Sequence, residues 1–157
     1  MRVIYHSYGG SFSSALAAGI HTGVLSRQRP PEKKDIMACS LFHRGTSQNH
    51  GVIHYAGTDA EGNEIYFMGS RKAFNIIENA LRGVLEIVRE DTRKLYFVDT
   101  FPLNNLEMRA GIFLYHRKIV TPAALTLLIK GSQKAFFDFT ALIDKVQSQL
   151  EKGDKCI

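Results

Sequence analysis

The stretch from Arg2 to Gly23 constrains the fold most, because it combines a strand, a glycine turn and a helix start. Val3, Ile4 and Tyr5 form a short apolar run and predict a strand over Arg2–Tyr5. Gly9 and Gly10 then allow a sharp turn, since glycine adopts positive φ at little cost. Three hydroxyl residues typical of a helix N-terminus follow: Ser11, Ser13 and Ser14. Gly23 is placed to end that helix.

A strand, a glycine turn and a helix N-terminus in this order predict an anion-binding nest. Several peptide NH groups and the positive end of the helix dipole point at one place above the sheet, which suits phosphate or carboxylate. The predicted ligand-binding residues of this nest are Gly9, Gly10, Ser11, Ser13 and Ser14. The run GGSFSS matches neither G-x-x-x-x-G-K-[ST] nor G-x-G-x-x-G, and it lacks the lysine of the former. A plain strand-to-helix turn with a serine cap is the alternative.

The rest of the chain alternates helix and strand patterns. Val52–Ala56 and Glu64–Met68 are β-type runs joined by the turn sequence GTDAEGN, which predicts an antiparallel hairpin. Apolar residues between Phe74 and Val88 recur at helical spacing and predict an amphipathic helix. Leu95–Val98 and Leu125–Ile129 are continuous apolar runs, typical of strands buried on both faces of a parallel sheet. Further helices are predicted at Pro31–Leu41, Leu103–His116 and Phe139–Leu150.

This order predicts an α/β fold, a three-layer sandwich with a mostly parallel sheet and a β-hairpin, Rossmann-like or P-loop-like. We expect a single domain over residues 1–150 and a frayed tail over residues 151–157, since no repeat, linker or low-complexity segment divides the chain. Arg2–Tyr5 is expected at the centre of the sheet, between the strands around Phe97 and Leu127.

Ligands of such sheets bind beyond the carboxyl ends of the parallel strands. The predicted ends carry His6, Asp99 and Lys130. His6 is a candidate general acid or base near neutral pH, and Asp99 is a candidate catalytic residue placed to hold Mg²⁺ through water. Lys130 would complete a site for a phosphorylated small molecule or a nucleotide. Simpler alternatives are a helix cap or a loop hydrogen bond for Asp99, and a solvated side chain for Lys130.

Other patterns argue against several kinds of chemistry. His50 and His54 are four residues apart, but a loop-to-strand context does not place them on one helical face, so no metal site is predicted. The motif G-x-S-x-G is absent, and a serine of the nest would act as a nucleophile only with a base such as His6. His21 is expected to interact with the negative end of the first helix's dipole.

Composition and charge limit the class of partner. Hydrophobic residues at 45% and charged residues at 22% are ordinary values for a globular protein. The net charge of +5 favours an anionic partner, but the basic residues are scattered, which argues against nucleic acid. No apolar run reaches the roughly 18 residues of a membrane span. Cys39 and Cys156 stand alone and no export signal is recognised, so we expect a cytoplasmic protein without membrane contact.

Four segments together resemble an uncharacterised family of endospore-forming Firmicutes, domain of unknown function 3189: YHSYGGSFSSALAAGIHTG, NHGVIHYAGTDAEGNEIYFMG, ENALRGV and FVDT. The likeness covers most of the chain. The opening motif of the family is roughly Y-H-C-x-G-G-[ST]-H-S-S, and this chain has Ser7 in place of the cysteine and Phe12 in place of the histidine. The resemblance implies no established activity.

Two classes of function therefore remain open. The first is a protein that binds a phosphate-bearing ligand, with phosphoryl or hydrolytic chemistry at His6 and Asp99. The second is a non-catalytic interaction or regulatory protein with a protein partner, which the distribution of the family links to sporulation. The departures at Ser7 and Phe12 favour the second class for this chain.

Overall fold

The structure, a computed structural model, describes residues 1–9, 12–44, 51–117 and 121–152. The strands of these ranges are β1 (Arg2–Ser7), β2 (Ile53–Thr58), β3 (Glu64–Gly69) and β4 (Leu95–Asp99). The α-helices are α1 (Ser13–His21), α2 (Lys33–Ala38), α3 (Leu41–Arg44), α4 (Phe74–Ile87), α5 (Leu106–His116) and α6 (Thr121–Lys152). Two 3₁₀ turns lie at Thr92–Lys94 and Phe101–Leu103.

The four strands form one sheet in the order β2-β3-β1-β4. β3 and β4 are both parallel to β1, and β2 is antiparallel to β3. Tyr5 of β1 lies beside Phe67 on one side and beside Val98 on the other, so β1 is an interior strand. The predicted α/β fold, with a mostly parallel sheet and a β-hairpin, is confirmed.

Alternate residues of β1 contribute to two different cores, because successive side chains of a strand point to opposite faces. Val3 and Tyr5 pack into the larger core with residues of α1 and α6. Ile4 packs on the other face, where a smaller apolar cluster meets α4. Helices therefore cover both faces of the sheet, as expected for a three-layer arrangement.

The two crossover connections explain why α1 and α4 lie on opposite faces. The chain leaves β1 through α1 and returns at β3 on one side, and then leaves β3 through α4 and returns at β4 on the other side of β1. Crossovers between parallel strands are almost always right-handed, so two that run in opposite directions along a sheet occupy opposite faces. The loops after β1 and β3 consequently diverge.

The expectation that Leu125–Ile129 forms a strand is wrong, because these residues lie inside α6. The second neighbour of β1 is β3, and no strand runs through Leu127. Most buried side chains of α6 recur at helical spacing, including Ala124, Leu128, Ser132, Ala135, Phe139, Ile143 and Val146, with Ile129 and Phe136 beside them. A short apolar run does not by itself distinguish a buried strand from a buried helix. Here Pro122 fits a first helical turn, and the long-range spacing favours the helix.

Close packing of α5 on α6 depends on a glycine of each helix. A Cβ atom on Gly131 would lie 2.8 Å from the Met108 backbone nitrogen and 2.9 Å from Asn105 Oδ1, and one on Gly111 would lie 2.7 Å from Leu128 Cγ. Asn105 joins the two helices, because its Nδ2 donates to the Gly131 carbonyl at 2.8 Å while its Oδ1 accepts from the Met108 NH at 2.9 Å. The second of these bonds caps α5.

We expect Gly131→Ala to lower the free energy of unfolding by about 1–3 kcal/mol, because the added methyl group must displace the backbone of α5. Gly83→Ala is the matched control, since no atom lies within 4 Å of its Cβ position. The control should raise stability by up to about 1 kcal/mol through helix propensity. Urea denaturation measures both variants, and equal effects would contradict the packing argument.

Candidate functional site

A cleft of about 270 Å³ opens beyond the carboxyl ends of β1, β3 and β4. Its described lining residues come from the ends of these three strands and the start of α4: His6, Tyr8, Ser70, Arg71, Phe74, Asp99 and Phe101. The cleft lies where the loops leaving β1 and β3 diverge to opposite faces. Open α/β sheets bind their ligands at such switch points.

His6 forms part of the floor of this cleft. Strand alternation directs its side chain toward α4, where the imidazole stacks on the Phe74 ring at 3.7 Å between centroids and 10° between planes. Burial lowers the pKa of His6 below its ordinary value, and the carboxylates of Asp99 and Glu78 offset only part of that shift. His6 is therefore a neutral imidazole near pH 7, able to accept a proton.

Asp99 stands beside His6, as the sequence predicted from the two strand ends. Its Oδ1 lies 3.9 Å from His6 Nδ1 and accepts a hydrogen bond of 2.9 Å from the Phe101 NH. The simpler alternative of a loop hydrogen bond is therefore present, yet 51% of the side chain is exposed and lines the cleft. Thr100 fixes this loop on β1, because its NH and its Oγ1 both donate to the His6 carbonyl at 2.9 Å.

Ser70 and Arg71 bring a hydroxyl and a cation to the cleft, and the sequence analysis missed both. They follow β3, whose parallel pairing with β1 was not predicted. The Ser70 NH donates to the Ser7 carbonyl at 2.9 Å and the Arg71 NH donates to the Tyr8 carbonyl at 3.0 Å. Arg71 has a φ of 46°, a left-handed conformation that costs a non-glycine residue about 1–2 kcal/mol.

The predicted nest is only partly covered by the described residues. Gly10 and Ser11 lie outside them, and Gly9 is half-buried but is not among the lining residues of the cleft. Ser13 and Ser14 are buried at the start of α1, with Ser13 Oγ 3.3 Å from Thr100 Oγ1. Neither of these two serines caps the helix, because the N-cap residue is Phe12, which makes no side-chain cap bond.

Phe12 stands at the position where the resemblance noted in the sequence led us to expect histidine. Its side chain is 6% exposed, and its ring packs against the Phe42 ring with 4.9 Å between centroids. At this position the chain therefore contributes to the hydrophobic core.

Lys130 does not lie at a strand end, contrary to the expectation from the sequence. It was placed at the end of a strand, but it lies within α6 and its side chain is exposed. The simpler alternative of a solvated side chain describes it. Arg71, at the end of β3, occupies the place that had been assigned to Lys130 at the carboxyl edge.

A buried polar network lies on the opposite face of the sheet and was also missed. Tyr5 Oη lies 2.7 Å from His21 Nδ1, and His21 Nε2 lies 3.2 Å from Asp59 Oδ2 without the alignment of a full hydrogen bond. Asp59 Oδ1 accepts from the backbone NH groups of Glu61 and Asn63, at 3.1 and 2.7 Å. The expectation for His21 considered only its own helix, whereas its ring joins β1 to the hairpin turn.

The charge states of this network follow from its surroundings. Burial works to raise the pKa of Asp59, but hydrogen bonds from Asn63 hold it below its usual value, so Asp59 is ionised. An ionised carboxylate favours the proton of a neutral His21 on Nε2, which leaves Nδ1 to accept from the Tyr5 hydroxyl. Burial raises the pKa of Tyr5 far above its usual range. Burial also lowers the pKa of His21, and the neighbouring Asp59 carboxylate offsets only part of that shift.

In the described part of the chain, no three or more His, Cys, Asp or Glu side chains are grouped so as to hold a metal ion. His50 lies outside the described residues, and the His54 ring stacks on Phe67 with 5.2 Å between centroids. Asp99 is the carboxylate among the described lining residues, so Mg²⁺ would need ligand phosphates and water to complete its octahedron.

The fold and the cleft define the class, an α/β protein with a mostly parallel sheet and, at its switch point, a cleft that combines aromatic, cationic and carboxylate side chains. None of the helices in the described ranges is both long and apolar enough to cross a membrane. The chain matches the family described as "Protein of unknown function (DUF3189)" over residues 2–148. Because the match covers most of the chain, the protein belongs to this family, as its motifs predicted. No curated protein and no solved structure matches it.

We expect the free energy of unfolding to fall between about pH 7 and pH 5. His6 and His21 have folded-state pKa values below the unfolded value of about 6.5, so the unfolded chain takes up protons first as the pH falls. Carboxylates such as Asp59, with lowered pKa values, act only below about pH 4.

Urea denaturation across this range measures the slope of stability against pH. His6→Phe keeps an aromatic ring against Phe74 and removes one titrating group, so its slope should be shallower than that of the wild type. A flat profile between about pH 7 and pH 5 would contradict the assignment of two buried neutral histidines.

Proposed function

We propose that the protein binds a small phosphate-bearing ligand in the cleft at the carboxyl edge of the sheet. The observation that carries the proposal is the convergence of Arg71, His6 and Asp99 from three neighbouring strand ends. An arginine guanidinium is always charged and matches the geometry of phosphate oxygens. The ligand-binding role of Gly9, Gly10, Ser11, Ser13 and Ser14 stays a prediction.

The conformation of Arg71 supports a ligand-binding role for this residue. Glycine would adopt this positive φ without strain, so arginine at this position makes the fold less stable than glycine would. Strained backbone at the edge of a cleft is a common feature of ligand sites. Arg89 also has a positive φ away from the cleft, so the strain supports this role for Arg71 only together with its position in the cleft lining.

The pairing of His6 with Asp99 suits hydrolytic or phosphoryl-transfer chemistry on such a ligand. A neutral His6 would take the proton from an attacking water as the water oxygen bonds to phosphorus and the leaving oxygen departs. Asp99 would stabilise the imidazolium that forms, since its carboxylate oxygen lies 3.9 Å from the ring nitrogen. Arg71 would neutralise charge on the phosphoryl oxygens.

A second candidate is a non-catalytic interaction protein, and one observation favours it. None of the residues of α4 is buried, and its apolar residues Ile76, Val84 and Ile87 are 73%, 54% and 82% exposed. Exposed apolar side chains on one helix are a feature of surfaces that meet a protein partner. This candidate requires no ligand in the cleft.

Thermal melting in the presence of phosphate compounds distinguishes the two candidates. We expect at least one member of a panel of inorganic phosphate, sugar phosphates and nucleotides, with and without Mg²⁺, to raise the melting temperature. A ligand at about 100 times its Kd adds roughly 2.7 kcal/mol, a shift of several degrees for a domain of this size. Asp99→Asn should reduce any Mg²⁺-dependent part. If no compound shifts the melt, the phosphate proposal fails and the interaction protein remains.

Arg71→Gly should remove the stabilisation by ligand and leave the free protein equally stable, or up to about 1 kcal/mol more stable, because it relieves the positive φ. Arg89→Gly is the matched control, since Arg89 also has a positive φ, of 59°, but does not line the cleft. The same melting assay measures both variants. Unchanged ligand stabilisation in Arg71→Gly would contradict the role given to this residue.

A further inference from the structure

Two aromatic side chains at the rim of the cleft have no part in the function proposed so far. Tyr8 follows β1 and is 50% exposed, and Phe101 follows β4 and is 44% exposed. Both line the cleft, and their ring centroids are 6.4 Å apart with 49° between the planes. Aromatic surface left half in water at the edge of a cleft is available to a planar ligand group.

The two rings form a tilted pair and contact each other, since aromatic side chains pair at about 4.5–7 Å between centroids. A planar group therefore does not fit between them. It would instead lie on the exposed side of the pair, which needs no movement of either ring.

The charges around the rim match the rest of a nucleotide. Arg71 lines the cleft, and the guanidinium carbon of Arg109 lies 5.9 Å from the Phe101 ring centroid, so two cations stand at this end of the sheet. Asp99 offers a half-exposed carboxylate. In other α/β sheets an acidic side chain accepts hydrogen bonds from ribose hydroxyls. A base, a ribose and a phosphate would therefore each meet a group of suitable chemistry.

We propose that the ligand of this cleft is a mononucleotide whose base stacks on Tyr8 and Phe101 while its phosphate meets Arg71. This inference rests on the proposed function and deepens it by naming the ligand class. The cleft volume of about 270 Å³ lies just below the usual range of ligand pockets, about 300–1,000 Å³, which favours one nucleotide over a larger ligand. A sugar phosphate would use Asp99 and Arg71 but would leave the aromatic rim in water.

Calorimetric titration of the full chain with ribose 5-phosphate and with the four common nucleoside 5′-monophosphates tests the inference. At least one monophosphate should bind about tenfold or more tightly than ribose 5-phosphate, the usual effect of stacking one base on an aromatic side chain. Tyr8→Ala and Phe101→Ala should each weaken nucleotide binding by about tenfold, and should change ribose 5-phosphate binding less than about twofold.

Phe137→Ala is the matched control, because Phe137 is 72% exposed on α6 and does not line the cleft. A second readout uses the absence of tryptophan from the sequence: Phe101→Trp would supply the sole tryptophan, whose fluorescence a stacked base should quench. This readout does not depend on loss of affinity in a truncated variant.

The outcomes separate the two proposals. Equal affinity for ribose 5-phosphate and for every monophosphate would overturn the nucleotide inference and leave a phosphate-binding cleft. Equal loss of nucleotide binding in Phe137→Ala and in Tyr8→Ala would also overturn it. Failure of inorganic phosphate, ribose 5-phosphate and all monophosphates to bind would overturn both the inference and the proposed function.

Discussion

The parallel pairing of β1 with both of its neighbours is the constraint on which the rest of the structure depends. It holds His6 level with Met68 of β3 and Asp99 of β4, so three strands end at the same edge. Strand alternation then sends Tyr5 and His6, adjacent in sequence, to opposite faces. One becomes part of a closed polar network and the other the floor of an open cleft. A shift of one residue would exchange these environments and disrupt both.

The buried polar network and the cleft differ in how far water can reach their side chains. Tyr5, His21 and Asp59 are all nearly or fully buried, and their polar atoms face one another and a turn that donates two backbone hydrogen bonds to Asp59. No solvent or ligand reaches this tyrosine–histidine–aspartate series, so it serves to fix β1, α1 and the hairpin turn relative to one another. His6 and Asp99 are a looser pair, at 3.9 Å, and the exposed carboxylate leaves that pair open to a ligand.

Local patterns predicted the elements of the sheet better than its pairing. The hairpin, α4 and β4 are visible as turn chemistry and periodicity, and the strand-end rule brought His6 and Asp99 together correctly. The sequence analysis missed Ser70 and Arg71, because their position at the cleft depends on β3 lying beside β1. That contact joins residues about sixty positions apart. The run Leu125–Ile129 misled because a stretch of five residues with four apolar side chains fits a strand, whereas the spacing from Ala124 to Val146 is visible only over about six turns.

The shallow burial of α4 has a consequence for motion. α4 packs on the sheet through partly buried residues such as Phe74 and Leu81 and has no fully buried residue, so it should open more readily in local unfolding than a helix of the larger core. Its first residue, Phe74, also forms the ring under His6. Outward movement of this end of the helix would uncover the imidazole and enlarge the cleft without disturbing the sheet. Access to the site and the local stability of one helix are thereby coupled, so amide exchange in α4 should report on occupancy of the cleft.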